Sequence, residues 1–309
     1  SVYKAVKAIS DNVPQANLIF RDKKSKKKID DDDIVALFNN PNPMMTETDF
    51  IQAWVGFYCL YGESIVIKEE SVGQRAGTRK LPAELWAFNP SDFQEITDNI
   101  RTITGWQYSR EGRIFTPEEV IYMRDMNPYS RFRGLAPTKP IEKIIDIDWS
   151  TLIFNKAFFD NGAKLGLTLS TDQRINQEIV DRLKAQLESR HKGASNSFKT
   201  AILEAGMKPV DEGATHRDMD FIEQKRFTRE EIYGMWKVPK AMFSITDDLN
   251  YATFIGQMKM FWNYTIMPAL KKVESSINTH MVNAYNPKME AAFDLSGVIA
   301  YQEDFKEKV

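Results

Sequence analysis

The sequence contains one cysteine, three histidines and no long apolar run. The single Cys59 excludes an intramolecular disulfide framework and any CxxC metal or redox site. No stretch of about 18 apolar residues occurs, and the first residues, SVYKAVKAISDNV, carry neither a basic nor an apolar leader region. These absences predict a soluble protein that is made in a reducing compartment.

An excess of charge of one sign is also lacking, because 41 basic residues face 43 acidic ones and the formal net charge is -2. Such a chain has no global positive field for nucleic acid or an anionic membrane, so any contact with DNA must be local or weak. The run RDKKSKKKIDDDD at residues 21 to 33 fits either a DNA-binding arm or a solvated turn. Its adjacent opposite charges favour the turn.

The first part of the chain, residues 1 to about 131, carries short β runs that are broken by Gly, Asn and Pro. Thr46 or Thr48 is the candidate N-cap of a helix that ends at Gly62. The glycine-containing stretch at residues 73 to 80 lacks the spacing of a phosphate loop and indicates a hairpin loop. The pattern predicts an α+β domain with a mostly antiparallel sheet.

A long apolar helix is predicted after Arg133-Gly134, with Pro140 in its first turn and Asn161-Gly162 as its stop. Its apolar residues cover more than one face, which is more than a surface helix of a monomer requires. These residues are Ile141, Ile144, Ile145, Ile147, Trp149, Leu152, Phe154 and Phe158. Both a core helix and a helix flanked by copies of itself fit this pattern.

The second half of the chain alternates a small module with long helices. Residues 163 to 212 indicate a strand, an amphipathic helix and a second strand, and a helix is predicted from about Met219 to Trp236. Another helix is predicted from Tyr251 to about Tyr285, kinked near Pro268. The two helices are joined by a long, half-apolar connection, and ordered loops of that length are usually functional.

A search for catalytic motifs finds little, because neither a GxSxG frame nor an HExxH spacing is present. Glu230-Glu231 follows Thr228 and is typical of first-turn helix charge. Asp247-Asp248 precedes the last long helix and could cap it or hold a divalent metal. One alternative function is therefore a metal-dependent enzyme acting on nucleic acid, in which Asp220 or Glu223 completes the ligand set; another is a monomeric adaptor protein.

Five segments in a fixed order carry a resemblance to a known family. They are LFNNPNPMMTETDFIQAWVGFYCLYGESIV, LPAELWAFNPSDF, RGLAPTKPIEKIIDIDWSTLIFNKAFFDNGAKLGLTL, MDFIEQKRFTREEIYGMWKVPKAMFSI and NYATFIGQMKMFWNYTIMPALKKVESSIN. In this order and spacing they resemble the portal proteins, or head-tail connectors, of long-tailed bacteriophages. Ala136 departs from the family pattern, which has Ser at this position of Gly-Leu-Ser-Pro.

The resemblance implies a non-enzymatic ring, usually of twelve subunits, at one vertex of the capsid of a virus or a prophage. Through such a ring a terminase packages double-stranded DNA that is later ejected. The implied partners are copies of the chain, weakly and sequence-independently held duplex DNA, the terminase large subunit, the head-tail adaptor, and capsid and scaffolding proteins. The resemblance implies no cofactor, metal or membrane, and a location in the virion after assembly in the host cytoplasm.

The resemblance also implies a division of the chain and a set of site residues. The divisions are a wing α+β domain 1–133, a first stem helix 134–159, a clip module 160–212, a second stem helix 213–236, a tunnel loop 237–251, a long wing helix 252–285 and, at 286–309, the start of a C-terminal segment whose helical crown is absent. The implied channel residues are Ser244, Thr246, Asp247, Asp248, Leu249, Asn250 and Tyr251. The implied loop anchors are Pro239, Met242, Phe243 and Ile245. The implied stem interface consists of Ile144, Ile147, Trp149, Phe154 and Phe158.

Overall fold

The computed structural model divides into two compact units, Ser1–Ile141 with Ile232–Val309 and Glu142–Glu231. The residues that it describes are 1–70, 81–98, 101–160, 168–170, 177–178, 180–182, 208–210, 217–243, 245 and 250–298. They combine helices with small antiparallel sheets, as the sequence predicts. The proposed hairpin loop at residues 73 to 80 lies outside this part of the chain.

The helices and strands follow the sequence pattern closely in the first unit. The helices are α1 (Val2–Asn12), α2 (Asp33–Asn39), α3 (Glu47–Tyr61), α4 (Glu142–Asp160), α5 (Arg217–Met235), α6 (Tyr251–Phe261), α7 (Met267–Ile277) and α8 (Asn283–Tyr285). The strands are β1 (Asn17–Asp22), β2 (Lys28–Ile29), β3 (Glu63–Glu69), β4 (Glu84–Phe88), β5 (Phe93–Thr97), β6 (Ile103–Tyr108), β7 (Ile114–Phe115), β8 (Val120–Arg124), β9 (Thr168–Ser170), β10 (Lys208–Val210) and β11 (Met289–Asp294).

The first unit contains three small antiparallel sheets, with strand orders β11-β1-β2, β4-β3-β8 and β5-β6-β7. One face of β3 packs into an aromatic core made with residues of β5 to β8. The core residues are Ile65, Ile67, Phe93, Trp106, Phe115 and Val120. In the second unit, β9 and β10 form an antiparallel pair. The second strand predicted for this module from the sequence, KTAILEAG at residues 199 to 206, lies outside the described residues.

The ends of α3 are set by local chemistry that the sequence reveals. Thr46, rather than Thr48, is the N-cap: its hydroxyl accepts the backbone N–H of Asp49 at 3.2 Å, and the Asp49 carboxylate accepts the Thr46 N–H at the same distance. Gly62 ends the helix with a φ of +69°. A Cβ atom on Gly62 would lie 1.9 Å from the carbonyl oxygen of Leu135, so the glycine is needed both for conformation and for space.

Two sequence-based helix assignments require correction, and a third is not tested. Pro140 lies in the turn before α4, because the helix begins only at Glu142. The predicted stop at Asn161-Gly162 lies outside the described residues. Thr228 and Glu230-Glu231 are not at a helix start, since α5 already begins at Arg217. The Thr228 hydroxyl instead donates to the carbonyl of Lys225 at 3.3 Å, inside the helix.

The predicted long helix is present, but it is divided by two π-helical turns, Trp262–Ile266 and Asn278–Val282. The first turn directly precedes Met267 and Pro268. Proline lacks a backbone N–H and crowds the preceding turn, so a wider turn accommodates it at this point. The second turn lets the Asn278 carboxamide exchange two hydrogen bonds with the backbone of Ala291 in β11, at 3.0 and 2.8 Å.

Candidate functional site

Helix α4 carries large apolar side chains that are exposed. Trp149 has 65% of its surface accessible. Ile147, Leu152, Ile153 and Phe154 are also exposed. Such exposure over a single helix is unusual for a soluble monomer and marks an interaction surface. Of the predicted stem residues, Ile144 is half-buried, and the side chain of Phe158 lies outside what the structure describes.

The apolar residues of α4 lie on two opposite sides of the helix. At about 100° per residue, one side contains Ile145, Trp149, Leu152 and Ile153. The other side contains Ile144, Ile147, Phe154 and Phe158. We call these the Trp149 side and the Ile147 side. The predicted stem interface includes residues of both sides, which agrees with the prediction that the apolar residues of this helix cover more than one face.

The connection after α5 begins with a tight stop that the sequence analysis missed. The N–H of Val238 donates to the carbonyl of Tyr233 and the N–H of Lys237 to that of Gly234, each at 3.0 Å. This Schellman pattern places Lys237 at a φ of +54°, a position that usually holds glycine. The chain therefore turns sharply away from the helix axis at Lys237.

The end of the predicted second stem helix and the first residues of the predicted tunnel loop make contacts within the first unit. The Trp236 indole N–H donates to the carbonyl of Cys59 in α3, at 2.8 Å. The Thr265 hydroxyl, in the π-helical turn, donates to the carbonyl of Lys237 at 2.8 Å. The Tyr233 and Phe243 rings stack with centroids 3.9 Å apart. The side chain of Phe243, one of the predicted anchors, therefore packs against the end of α5.

The structure describes only some of the other residues of the predicted tunnel loop. The other predicted anchors, Pro239, Met242 and Ile245, are half-buried. The predicted channel residues Ser244 and 246–249 lie outside the described part of the chain.

Asn250 and Tyr251 are described. Asn250, not an aspartate, caps α6: its side chain accepts the Thr253 N–H at 2.8 Å, and the Thr253 hydroxyl accepts the Asn250 N–H at 3.0 Å. The predicted capping role of Asp247 or Asp248 is therefore wrong. Tyr251 is exposed.

A buried ionic cluster, which the sequence analysis also missed, lies where the chain leaves the first unit. The Glu63 side chain is only 6% exposed, and it accepts hydrogen bonds from Arg133, from the Tyr122 hydroxyl at 2.6 Å and from the Gly134 N–H at 2.8 Å. Arg133 also pairs with Glu95 at 2.9 Å. The cluster ties the segment before α4 to β3.

The electrostatics of this cluster follow from its partners. Burial alone would lower the pKa of the Arg133 guanidinium, but hydrogen bonds and charges from Glu63 and Glu95 outweigh burial and raise this pKa. Burial and the neighbouring Glu63 carboxylate raise the pKa of the Tyr122 hydroxyl above its ordinary value. Arg133 therefore stays charged and Tyr122 stays a hydrogen-bond donor across the physiological range.

The basic run at residues 21 to 33 lies on the β1–β2 hairpin. Lys23 donates to the Asn283 side chain at 2.9 Å, Lys26 pairs with Glu290 at 2.8 Å, and Lys28 pairs with Asp30 at 2.7 Å. These lysines therefore contact acceptors of their own chain. The arrangement fits the solvated-turn interpretation that the sequence favours.

Metal and redox chemistry find no support in the described residues, where no cluster of His, Cys, Asp and Glu suited to a metal ion occurs. Burial raises the pKa of the Cys59 thiol to about 12, and burial beside Lys68 lowers the pKa of His280. The candidate ligands Asp247 and Asp248 lie outside the described part of the chain, and Glu223 is exposed. No helix in the described ranges has the length and apolarity needed to cross a bilayer.

Comparisons with known proteins agree with this architecture. The portal protein of Enterobacteria phage HK97 is 23% identical over 89% of this chain and 64% of its own length. A chain in the neck of a native gene transfer agent particle, computed with C12 symmetry, matches with a TM-score of 0.71 and 21% identity, over 99% of this chain and 83% of that one. An HK97 family phage portal protein from Corynebacterium diphtheriae matches with a TM-score of 0.68 and 12% identity, over 95% and 91% of the two chains.

The family model for phage portal proteins matches residues 1–309. This chain belongs to the phage portal protein family. The resemblance and the mixed helix and sheet fold that were predicted from the sequence are thereby confirmed, and so is the predicted class of function, a portal protein of the phage capsid.

Proposed function

We propose that copies of this portal protein assemble through α4 and close into a ring, in which the Trp149 side of one copy packs on the Ile147 side of the next. The observation that carries this proposal is the exposure of apolar side chains on opposite sides of one helix. An isologous pair would cover only one side. A heterologous contact covers one side of each copy and leaves the other for a further copy, and it ends only when a ring closes.

The number of copies in the proposed ring is twelve. The C12 symmetry of the gene transfer agent neck, which contains a chain of similar fold, supports this number. Mass photometry of the assembled particle measures it directly, and a closed particle with a different number of copies would correct the stoichiometry without affecting the heterologous contact.

A mixing experiment tests the heterologous contact. Leu152→Lys with Ile153→Lys disables the Trp149 side, and Ile147→Lys with Phe154→Lys disables the Ile147 side. Each variant alone is expected to remain monomeric in sedimentation velocity at concentrations where the natural chain assembles. Mixed in equal amounts, the two variants are expected to form dimers that contain one copy of each and do not grow further, because each retains one intact side.

The control is Ser150→Lys, which places one lysine on an exposed polar position of α4 between the two sides. This variant should assemble as the natural chain does. Dimers formed by either variant alone, or no association in the mixture, would contradict the heterologous arrangement.

We further propose that residues 237–251 line a channel for duplex DNA, with Ser244, Thr246, Asp247, Asp248, Leu249, Asn250 and Tyr251 nearest the DNA. Contacts at both ends of the connection support the proposal. Phe243 stacks on Tyr233, and Asn250 forms a capping box with Thr253, so both ends are fixed to neighbouring helices. Acidic and neutral side chains suit a conduit, because each tight phosphate contact would oppose sliding.

Charge reversal in the loop tests the channel. Asp247→Lys with Asp248→Lys is expected to strengthen duplex binding at low salt and to slow packaging in an assay with assembled capsids and motor. The salt dependence of binding should steepen, because two more lysines in each copy contact phosphates. Unchanged binding and packaging would place these residues away from the DNA path.

The protein is proposed to have no catalytic activity. Incubation with duplex and single-stranded DNA in the presence of Mg²⁺ or Mn²⁺ is expected to leave the DNA intact. Cleavage by the natural chain that Asp248→Asn abolishes would instead support the metal-dependent enzyme.

The remaining proposed partners follow the division of the chain. We assign residues 160–212 to a clip that contacts the terminase large subunit during packaging and the head-tail adaptor afterwards. The first unit is assigned to a wing that contacts capsid and scaffolding proteins. Deletion of residues 171–207 should abolish terminase binding in a pull-down assay and leave the thermal unfolding of the first unit unchanged.

A further inference from the structure

The start of the long helix is apolar and exposed at the same time. Residues 250–270 contain one charged residue, Lys259. Met260 is 58% exposed and Tyr264 is 63% exposed. A helix that is apolar around most of its circumference is normally buried in a larger body. The described chain leaves these side chains accessible, which suits contact with another molecule.

Gly256 lies on the same side of the helix as Met260 and Tyr264. The three residues are spaced by four positions, which aligns them along one side. Glycine inside a helix is less favourable than alanine by about 1 kcal/mol. A Cβ atom at Gly256 would meet no heavy atom of the described chain within 4 Å. Packing within the described part of the chain therefore gives no reason for glycine here, whereas close approach of another molecule does.

The chemistry of this surface favours protein over DNA. Duplex DNA presents charged phosphates to its surroundings, and the apolar side chain of Met260 beside Gly256 does not complement them. The complement of an uncharged apolar surface is another uncharged apolar surface, and methionine and tyrosine are enriched at the centres of such contacts.

The area available on α4 favours a copy of this chain as the partner. The described part of α4 exposes five large apolar side chains, divided over two sides: Ile147, Trp149, Leu152, Ile153 and Phe154. A specific interface takes about 20–30 residues from each partner. A contact between copies through α4 alone is therefore too small, and a second contact region in each copy is required.

We infer that Gly256, Met260 and Tyr264, which we call the Met260 patch, contact a neighbouring copy of this chain in the assembly. The inference rests on the proposed function, because it assumes that copies associate. Gly256 lets a side chain of the neighbour approach the helix backbone, and Met260 and Tyr264 flank that position. The patch adds a contact from the first unit to the contact proposed for α4.

Gly256→Leu is expected to weaken assembly without lowering the stability of the monomer. The substitution replaces glycine by a good helix former in open space, so the melting temperature of the monomer should stay the same or rise. The added side chain occupies the position of the neighbour, so the concentration at half-assembly should rise at least tenfold. Ser275→Leu, on an exposed position three turns beyond Tyr264, is the matched control and should leave this concentration within twofold.

A photocrosslink at the patch identifies what covers it. Benzoylphenylalanine replaces Met260 in the purified protein, and short duplex DNA is included in a parallel reaction. Irradiation is expected to give covalent dimers of the chain, and these should disappear when Leu152→Lys and Ile153→Lys are added. Covalent DNA adducts, or no covalent dimers in an assembled sample, would contradict the inference that the Met260 patch contacts a neighbouring copy.

The two proposals can fail separately. If the natural chain assembles, and Gly256→Leu assembles equally well without crosslinks from position 260, the patch is wrong and the ring proposal stands. If the natural chain remains monomeric under all conditions, both proposals are wrong.

Discussion

Glu63 in the first unit and Trp149 on α4 both occupy places where their side chains are seldom found. Glu63 is a carboxylate with 6% of its side chain exposed, whereas Trp149 is an indole with 65% of its surface exposed. Buried carboxylates and exposed tryptophans are both unfavourable in isolation. Other contacts must therefore compensate for the burial of Glu63 and for the exposure of Trp149.

For Glu63 the compensation comes from its own chain. Arg133, Tyr122 and the backbone of Gly134 donate to the carboxylate, so its charge and lone pairs are satisfied inside the first unit. The Trp149 side has its apolar residues exposed, and the compensation proposed for it is a neighbouring copy. The difference indicates that Glu63 is stabilised by contacts within the first unit, while for α4 contacts between copies are proposed.

The largest effect is expected from Arg133→Met, which removes the counter-charge of Glu63. A buried carboxylate without its partner destabilises a fold by about 3–5 kcal/mol, and denaturant unfolding should show a loss of this size. The control Lys156→Met breaks the exposed pair of Lys156 with Asp160 in α4 and should change the free energy of unfolding by less than about 0.5 kcal/mol. Equal losses in the two variants would remove the contrast between the two regions.

A smaller loss, about 3 kcal/mol, is expected from Gly62→Ala. The added Cβ meets the Leu135 carbonyl oxygen at 1.9 Å, in addition to the strain of the left-handed conformation. Gly112 has a similar φ, +73°, with no described heavy atom within 4 Å of a Cβ. Gly112→Ala therefore isolates the conformational strain, which is about 1 kcal/mol. Calorimetry that finds the two variants equally destabilised would show that the Gly62 contact is easily relieved.

Tyr122→Phe is expected to lower stability at neutral pH by about 2 kcal/mol, because the hydrogen bond to Glu63 is lost. The folded-state pKa of Tyr122 is raised above the unfolded value of about 10. Above that pH the unfolded chain has lost the proton while the folded chain retains it, so the natural protein loses stability as pH rises. The variant should show a shallower decline between about pH 10 and 11. Because burial also raises the pKa of Tyr58, part of the decrease in stability with rising pH should remain in the variant.

The smallest change in monomer stability is expected from Trp149→Gln. An exposed side chain contributes little to folding, so unfolding of the monomer should shift by less than about 0.5 kcal/mol, although assembly should weaken. Trp106→Gln makes the same substitution in the aromatic core and should lower stability by more than about 3 kcal/mol. A comparable loss at Trp149 would show that α4 is covered within its own chain.

Several elements of the fold could be read from local sequence chemistry. Thr46, Asp49 and Gly62 define both ends of α3, because a capping box and a left-handed stop need only neighbouring residues. The apolar pattern of α4 also predicted more than one covered face. Its division into two opposite sides follows once the helix boundaries are known.

Other features depend on residues that are distant in the sequence. The partner of Glu63 is 70 positions away, and Trp236 donates to a carbonyl 177 positions away. No pattern of neighbouring residues distinguishes these outcomes.

By itself, the sequence determined the family, the mixed fold class and the excess of apolar side chains on α4, since these depend on composition, periodicity and the order of segments. The tertiary structure alone decided which charges are buried together and which apolar residues remain exposed. The physical reason is that burial and ion pairing arise between segments brought together by folding, whereas helix periodicity and caps arise between neighbours along the chain.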